Sequence, residues 1–266
     1  MIIQCDASQL EWRTALELSR DPVGIAEIIE GQDTHSLNQV AFDLPSRLIA
    51  KIYLFRTIFR GSGYAFSVDP QFSHVSNSPQ FWDNVGEKFY GKYSTLDSWH
   101  KELADRVTKG LDLVGPTGRA WTIPMGRSYR GELKIPWTTL TNYPVQGTGA
   151  DVMMVARISF YRRLKSSGIP ALLISTIHDS IVVDVEEKYA SLIVTMMYEV
   201  FDDLIANIQR CFKYEWIVPL ACEVKMGPNM KDQKKVQTIY WMHCAQIFCE
   251  ESVGQRIGAF ALLENG

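Results

Sequence analysis

Leu172-Leu-Ile-Ser-Thr-Ile177-His178-Asp179-Ser180-Ile181-Val-Val-Asp-Val185 is the stretch whose reading decides the fold. Residues 172–177 and 181–185 are rich in β-branched side chains and flank three polar residues, the pattern of a β-hairpin turning at His178-Asp179-Ser180. Downstream, residues 187–211 carry apolar positions at helical spacing (Ile193, Met197, Val200, Leu204, Ile208), and residues 218–224 read as a closing strand that ends at Lys225-Met226-Gly227. Upstream, Gly147-Thr148-Gly149 precedes a helix for which Thr148 and Asp151 form a capping box and Gly168 a stop. Gly115-Pro-Thr-Gly118 marks a turn into a short hairpin over 120–123, residues 81–109 are helical with two breaks, and residues 67–79 form a loop.

At the other end of the chain, residues 2–5 form a short strand ending at Asp6, and residues 9–18 a helix. Pro45-Ser46 opens an apolar and basic helix that runs to about Arg60 and stops at Gly61-Ser62-Gly63. Strands, then helices, then strands again give an α+β class, an antiparallel sheet backed by helices with a mostly helical insertion.

Composition narrows the function classes. With 266 residues, 46% of them hydrophobic, the chain can bury a sizeable core. No run approaches the ~18 apolar residues of a membrane span, and the N-terminus lacks a basic region followed by an apolar run, so a cytoplasmic protein without membrane contact is expected. Five cysteines (Cys5, Cys211, Cys222, Cys244, Cys249) form no CxxC pair and are read as reduced thiols rather than as a zinc site built on His243, Cys244 and Cys249. The net charge of −3 gives no support to nucleic-acid binding. Two acid-poor segments, one with Arg47, Lys51, Arg56 and Arg60, the other with Arg119, Arg127, Arg130 and Lys134, nonetheless allow a locally basic surface.

Two features carry chemistry. If the first strand and the hairpin share a sheet, Asp6 and Asp179 converge, and paired carboxylates suit magnesium, which takes one or two of them plus substrate phosphates. Two such ions roughly 3.5–4 Å apart activate an attacking oxygen and stabilise a leaving one. The second feature is Arg47, Lys51, Phe55 and Phe59, every fourth residue of one helix face, cationic and then aromatic. Such a face suits a nucleoside triphosphate, and equally an amphipathic helix with aromatics inward and bases in water.

These elements, in this order, resemble family A (DNA polymerase I-like) DNA polymerases. Asp6-Ala-Ser-Gln-Leu-Glu-Trp-Arg13 is similar to the first polymerase motif, DYSQIELR; residues 47–59 resemble the fingers helix, R-x3-K-x3-F-x3-Y; Ile177-His-Asp-Ser180 resembles the VHDE turn. Gly31-Gln-Asp-Thr-His35, Asn142-Tyr-Pro-Val-Gln-Gly-Thr-Gly-Ala-Asp151 and Val218-Pro-Leu-Ala-Cys-Glu-Val-Lys-Met-Gly227 resemble three further family segments. The resemblance implies a palm over 1–35 and 136–232, fingers over about 36–135, and a C-terminal extension over 233–266 of unassigned role.

By the same resemblance, Asp6 and Asp179, helped by the carbonyl of Ala7, hold two magnesium ions, for which manganese can substitute. Arg47, Lys51 and His35 contact the triphosphate, Phe55 the sugar and Phe59 the nascent base pair. Glu11, with Gln9 nearby, excludes a ribose 2′-hydroxyl. Asn142, Gln146 and His178 touch primer-template DNA. The implied activity is template-directed DNA synthesis from dNTPs, in the host cytoplasm if the gene is a phage's. Because only five residues precede Asp6, a companion chain carrying the thumb and N-terminal palm is expected, in a split polymerase without an exonuclease domain. This sequence departs from the pattern at Ala7, Phe59, Arg60, Thr138 and Ser180. A single-subunit RNA polymerase shares the His-Asp-Ser turn, but Glu11 and Phe55 favour deoxynucleotides; a non-catalytic DNA-binding scaffold is opposed by the intact aspartates.

Overall fold

A computed structural model gives the fold and describes residues 1–127 and 130–236. His243, Cys244 and Cys249, and with them nearly all of the C-terminal extension, lie outside the described residues.

β1 (Ile2–Ala7) alternates, burying Ile3, Cys5 and Ala7 and turning Asp6 to the opposite face. The chain leaves it through Gln9, whose φ of 52° turns it into α1 (Leu10–Ser19). A series of capped helices follows. Asp21 accepts from the N–H groups of Val23 and Gly24 to start α2 (Pro22–Ile29), Asp33 from that of His35 to start α3 (Thr34–Ala41), and Ser46 from that of Ile49 to start α4 (Arg47–Thr57). Ser62 starts α5 (Gly63–Val68) and Ser78 starts α6 (Pro79–Lys92), with Tyr93 between α6 and α7 (Ser94–Thr108). Two small hairpins, β2 (Leu113–Val114) with β3 (Ala120–Trp121) and β4 (Gly126–Arg127) with β5 (Leu133–Lys134), lead to α8 (Trp137–Ser167). The hairpin β6 (Ala171–Ile177) and β7 (Ser180–Val185), the helices α9 (Ala190–Asp202) and α10 (Leu204–Phe212), and β8 (Cys222–Gly227) with β9 (Lys234–Lys235) complete the described fold.

The five-stranded sheet has the order β6-β7-β1-β8-β9, with every neighbouring pair antiparallel. Its inner face meets α8, α9 and α10 in one apolar cluster that includes Ile3, Cys5, Ala156, Phe160, Val183, Ile193, Val200 and Val224. A second cluster lies among the helices of the first hundred residues and is strongly aromatic: Tyr53 stacks on Trp82 at 5.7 Å and Trp12 meets the edge of Tyr93 at 5.0 Å. α1 serves both, since Leu10 belongs to the first cluster and Trp12, Ala15 and Leu16 to the second. No helix among the described residues is long and apolar enough to cross a membrane, and Cys5, Cys211 and Cys222 are free thiols.

The α+β class and the hairpin over 171–185 agree with the sequence, and several element limits do not. Residues 147–151, read as a helix start, lie inside α8. Gly147 is there for close approach, because a Cβ at that position would come within 2.4 Å of the Trp121 ring. Asp151 caps nothing; it pairs with Arg119 at 2.5 Å and accepts from the Thr117 hydroxyl at 2.6 Å. α4 ends at Thr57, short of the expected Arg60, and Ser62 caps a further helix, so 63–68 is helical. Residues 81–109 break once, at Tyr93, and residues 187–211 divide at Asp203 into α9 and α10. The closing strand begins at Cys222 rather than 218, because the N–H groups of Ile217 and Val218 donate to the buried Glu17 carboxylate and hold those residues off the ladder.

Candidate active site

β1 lies between β7 and β8, so Asp6 stands opposite Ser180 on one side and Glu223 on the other. The backbone N–H of Ala7 donates to the carbonyl of Asp179 at 3.0 Å, fixing the hairpin turn beside the end of β1. His178 occupies the left-handed region with φ of 52°, an uncommon conformation for a residue other than glycine. The turn is held by the hydroxyl of Ser180, which is buried and donates to the carbonyl of Ile177 at 2.9 Å. Ser180 thus closes the hairpin where the resemblance leads one to look for an acid.

The Asp6 carboxyl is pushed up to about 6, first by burial, then by the charge of Asp179 and a hydrogen bond with it, with Lys225 opposing and Glu223 adding. Glu223 is itself neutralised by Lys235 and Lys225, which hold it below the usual carboxylate range. Asp6 and Asp179 therefore form a carboxylate pair short of positive charge. Among the described residues no three His, Cys, Asp or Glu side chains gather as a metal cluster. Two carboxylates with repulsion to relieve are nevertheless the donor set that magnesium takes when substrate phosphates complete its shell. The residues fit the ion.

Glu11, on the first turn of α1, accepts from the Gln146 side chain of α8 at 3.0 Å, so the residue assigned to sugar selection and one assigned to DNA contact are in direct touch. Burial raises the Glu11 carboxyl, Gln146 lowers it, and Asp179 is near enough to raise it further. Asn142, one turn before Gln146 on α8, is half-buried, and His178 is exposed on the turn. His178 and Ser180 also line a cavity of about 220 Å³ between α8 and the hairpin, together with Met153, Met154, Arg157 and Thr176. Arg157 was not singled out from the sequence. Its spacing from Gln146 along one helix, eleven residues or three turns, was the available signal.

Arg47, Lys51 and Phe55 share α4, whereas the helix ends at Thr57 and leaves Phe59 in the turn that follows. Arg47 forms a two-pronged pair with Asp33, Nε to Oδ2 at 2.5 Å and Nη2 to Oδ1 at 3.1 Å, which holds the Asp33 carboxyl well below its usual range. His35 lies 6.0 Å from Phe55, ring centre to ring centre, and is pushed down to about 4 by burial, with Arg47 and Lys51 adding. Its Nδ1 is buried without a partner. Lys51 is exposed and makes no ion pair among the described residues, while Phe55 and Phe59 are half-buried against the helical cluster. Half of the expected basic surface is cancelled: Arg47 pairs with Asp33, Arg56 with Asp69, Arg60 with Asp97 and Arg119 with Asp151. Acids distant in sequence meet bases that the sequence shows unopposed.

Comparison with known proteins gives consistent relatives. The chain is 29% identical over 194 residues to a DNA polymerase I of Aquifex aeolicus (strain VF5), covering 70% of this chain and 32% of that protein. It is 23% identical over 246 residues to a DNA polymerase of Bacillus phage SP01, covering 87% and 26%. The chain thus spans between 26% and 32% of the length of these relatives. Its fold matches the solved POL domain of Pol1 from M. smegmatis, a complex with DNA primer-template and dNTP, at a TM-score of 0.70 and 21% identity over 84% of this chain and 38% of that one. Asp6, Asp179 and all of α4 fall within residues 1–232, the part matched by the model of DNA polymerase family A, and this chain belongs to that family.

Proposed function

We propose that this chain carries the nucleotidyl-transfer site of a template-directed DNA polymerase, in which the primer 3′-oxygen attacks the α-phosphorus of a dNTP and pyrophosphate leaves. The observation that carries this reading is the Asp6–Asp179 pair, brought side by side by neighbouring strands. Two magnesium ions held by these carboxylates and the Ala7 carbonyl would supply charge stabilisation to the attacking and leaving oxygens.

The chain's own residues bind and orient. Lys51 is free to meet the triphosphate, and Arg47, whose Nε and Nη2 engage Asp33, keeps Nη1 available for it. His35 is neutral at physiological pH and offers a hydrogen bond without adding charge. Phe55 and Phe59 face sugar and base, and Glu11, steadied by Gln146, fills the space of a 2′-hydroxyl. Gln9 lies beside it at the bend that starts α1. Asn142, Gln146 and His178 address primer-template DNA. Orientation and charge placement, rather than proton transfer by a side chain, carry this chemistry.

We also propose that duplex grip, which rests largely on phosphate contacts, comes from a companion polypeptide carrying a thumb and further palm. The support is β6, a sheet edge with Leu172 66% and Ile174 49% exposed. Primer extension tests the central reading. Asp6→Ala and Asp179→Ala should each lower incorporation by at least about a thousandfold while far-UV circular dichroism stays native, and near-normal extension by either variant refutes the assignment.

A further inference from the structure

We infer that Arg60 is a positioning residue, a clamp that fixes the last turn of α4 to α6, α7 and α8 and so sets the angle at which the Arg47-Lys51-Phe55-Phe59 face meets a nucleotide. The inference rests on the reading of that face as the triphosphate site. α4 ends at Thr57, and Arg60 follows with φ of 60°. A left-handed backbone costs an arginine more than a glycine, and here specific contacts offset that cost.

The guanidinium carbon lies 4.2 Å from the centre of the Tyr90 ring of α6 and 5.0 Å from the Trp137 ring at the start of α8. Its Nη2 meets Asp97 Oδ1 at 2.6 Å, and its Nε donates to His100 Nδ1 at 3.0 Å, both partners on α7. His100 is buried, and burial with the charge of Arg60 pushes it down to about 3, so it remains a neutral acceptor. Tyr90 makes a second link, its hydroxyl donating to the carbonyl of Thr57 at 2.6 Å and capping α4.

Only a planar, five-donor cation can stack against aromatic rings and donate in its plane at once. Phe59 directly precedes the clamp in the turn after α4, and Phe55, Lys51 and Arg47 lie at successive four-residue steps back along the helix. Loosening the clamp lowers the fraction of molecules with that face aligned, and apparent nucleotide affinity falls by the same factor.

Arg60→Gly isolates the effect, because glycine adopts φ of 60° without strain and keeps the turn while removing the clamp. Isothermal titration with dCTP and Mg²⁺ should show a loss of affinity of about tenfold for Arg60→Gly and a smaller loss for Arg60→Lys, which keeps the charge without the planar fork. Hydrogen exchange should quicken in the last turns of α4 and stay unchanged in β6 and β7. Wild-type binding with no change of affinity in Arg60→Gly overturns the clamp alone, as does faster exchange spread evenly over α6 and α7 with affinity intact. Absence of dCTP binding by the wild-type chain instead overturns the nucleotide-site reading, and the clamp's role with it.

Discussion

Asp6 keeps its proton up to pH about 6 in the metal-free protein, above the ordinary 3.8. The folded state thus binds more protons than the unfolded state between those values, and stability falls as pH rises through that window. In EDTA, Tm should decline from pH 4 to pH 6.5, Asp6→Asn should flatten the decline and raise Tm near pH 7, and Mg²⁺ should raise the wild-type Tm there more than the variant's. A flat wild-type profile would show that the Asp6 carboxyl is not raised by its burial and by Asp179. Glu11 makes a separate prediction. On the proposed reading of Glu11 as the sugar gate, Glu11→Ala frees the space over the 2′ position and releases Gln146, so the preference for dNTP over rNTP should fall about tenfold, or about 1.4 kcal/mol, in competitive single-nucleotide incorporation. An unchanged ratio places the sugar gate elsewhere. The placement of Asp6 and Asp179 was legible because strand-rich runs precede each, while assigning them a metal-binding role needed the resemblance to family motifs. The Arg47–Asp33 pair was not legible, since it joins segments that only the packing of α3 on α4 brings together.

Among the elements, Asp21 joins two helices with one carboxylate. Its Oδ1 accepts from Val23 and Gly24 at the start of α2, and its Oδ2 accepts from Thr95 and Leu96 at the start of α7, at 3.0–3.1 Å. Each group is an N–H that a helix leaves without an internal partner. Asp21→Ala should cost about 2–3 kcal/mol, read from urea unfolding, and a loss below about 0.5 kcal/mol would mean that water replaces the carboxylate. The sequence showed α1 and α4 through their apolar runs and α4's start and stop signals, and the β6–β7 hairpin through two β-branched runs flanking a polar turn. It misplaced the start of α8, since Gly147 and Gly149 look like breakers until Trp121 and Leu10 are seen lying against them. α2 and α3 went unread, being eight residues each and too short to display a period.

At the scale of the whole molecule, the open edge of β6 and the pairing of Arg47, Arg56, Arg60 and Arg119 with acids make a definite claim about DNA affinity. The chain alone should bind primer-template weakly and extend it by few nucleotides per encounter. Addition of a polypeptide supplying thumb and further palm should raise processivity by about two orders of magnitude, as added phosphate contacts do. Long products from the purified 266-residue chain under single-encounter conditions would refute this. The strand order, with β1 inside the sheet, was not written in any local pattern; it follows from which faces are apolar once all the strands are present. α1 has a consequence of a mechanical kind. Its Leu10 is seated among the sheet's side chains and its Trp12, Ala15 and Leu16 among those of the helical half, so it is a short axle common to both. Ten residues of helix are about 15 Å long, and a tilt of about 5° swings the far end by about 1 Å, a displacement that can cost a hundredfold in rate. A single bulky substitution at Ala15 would therefore shift the helical half against the sheet that carries the carboxylates, without touching either aspartate.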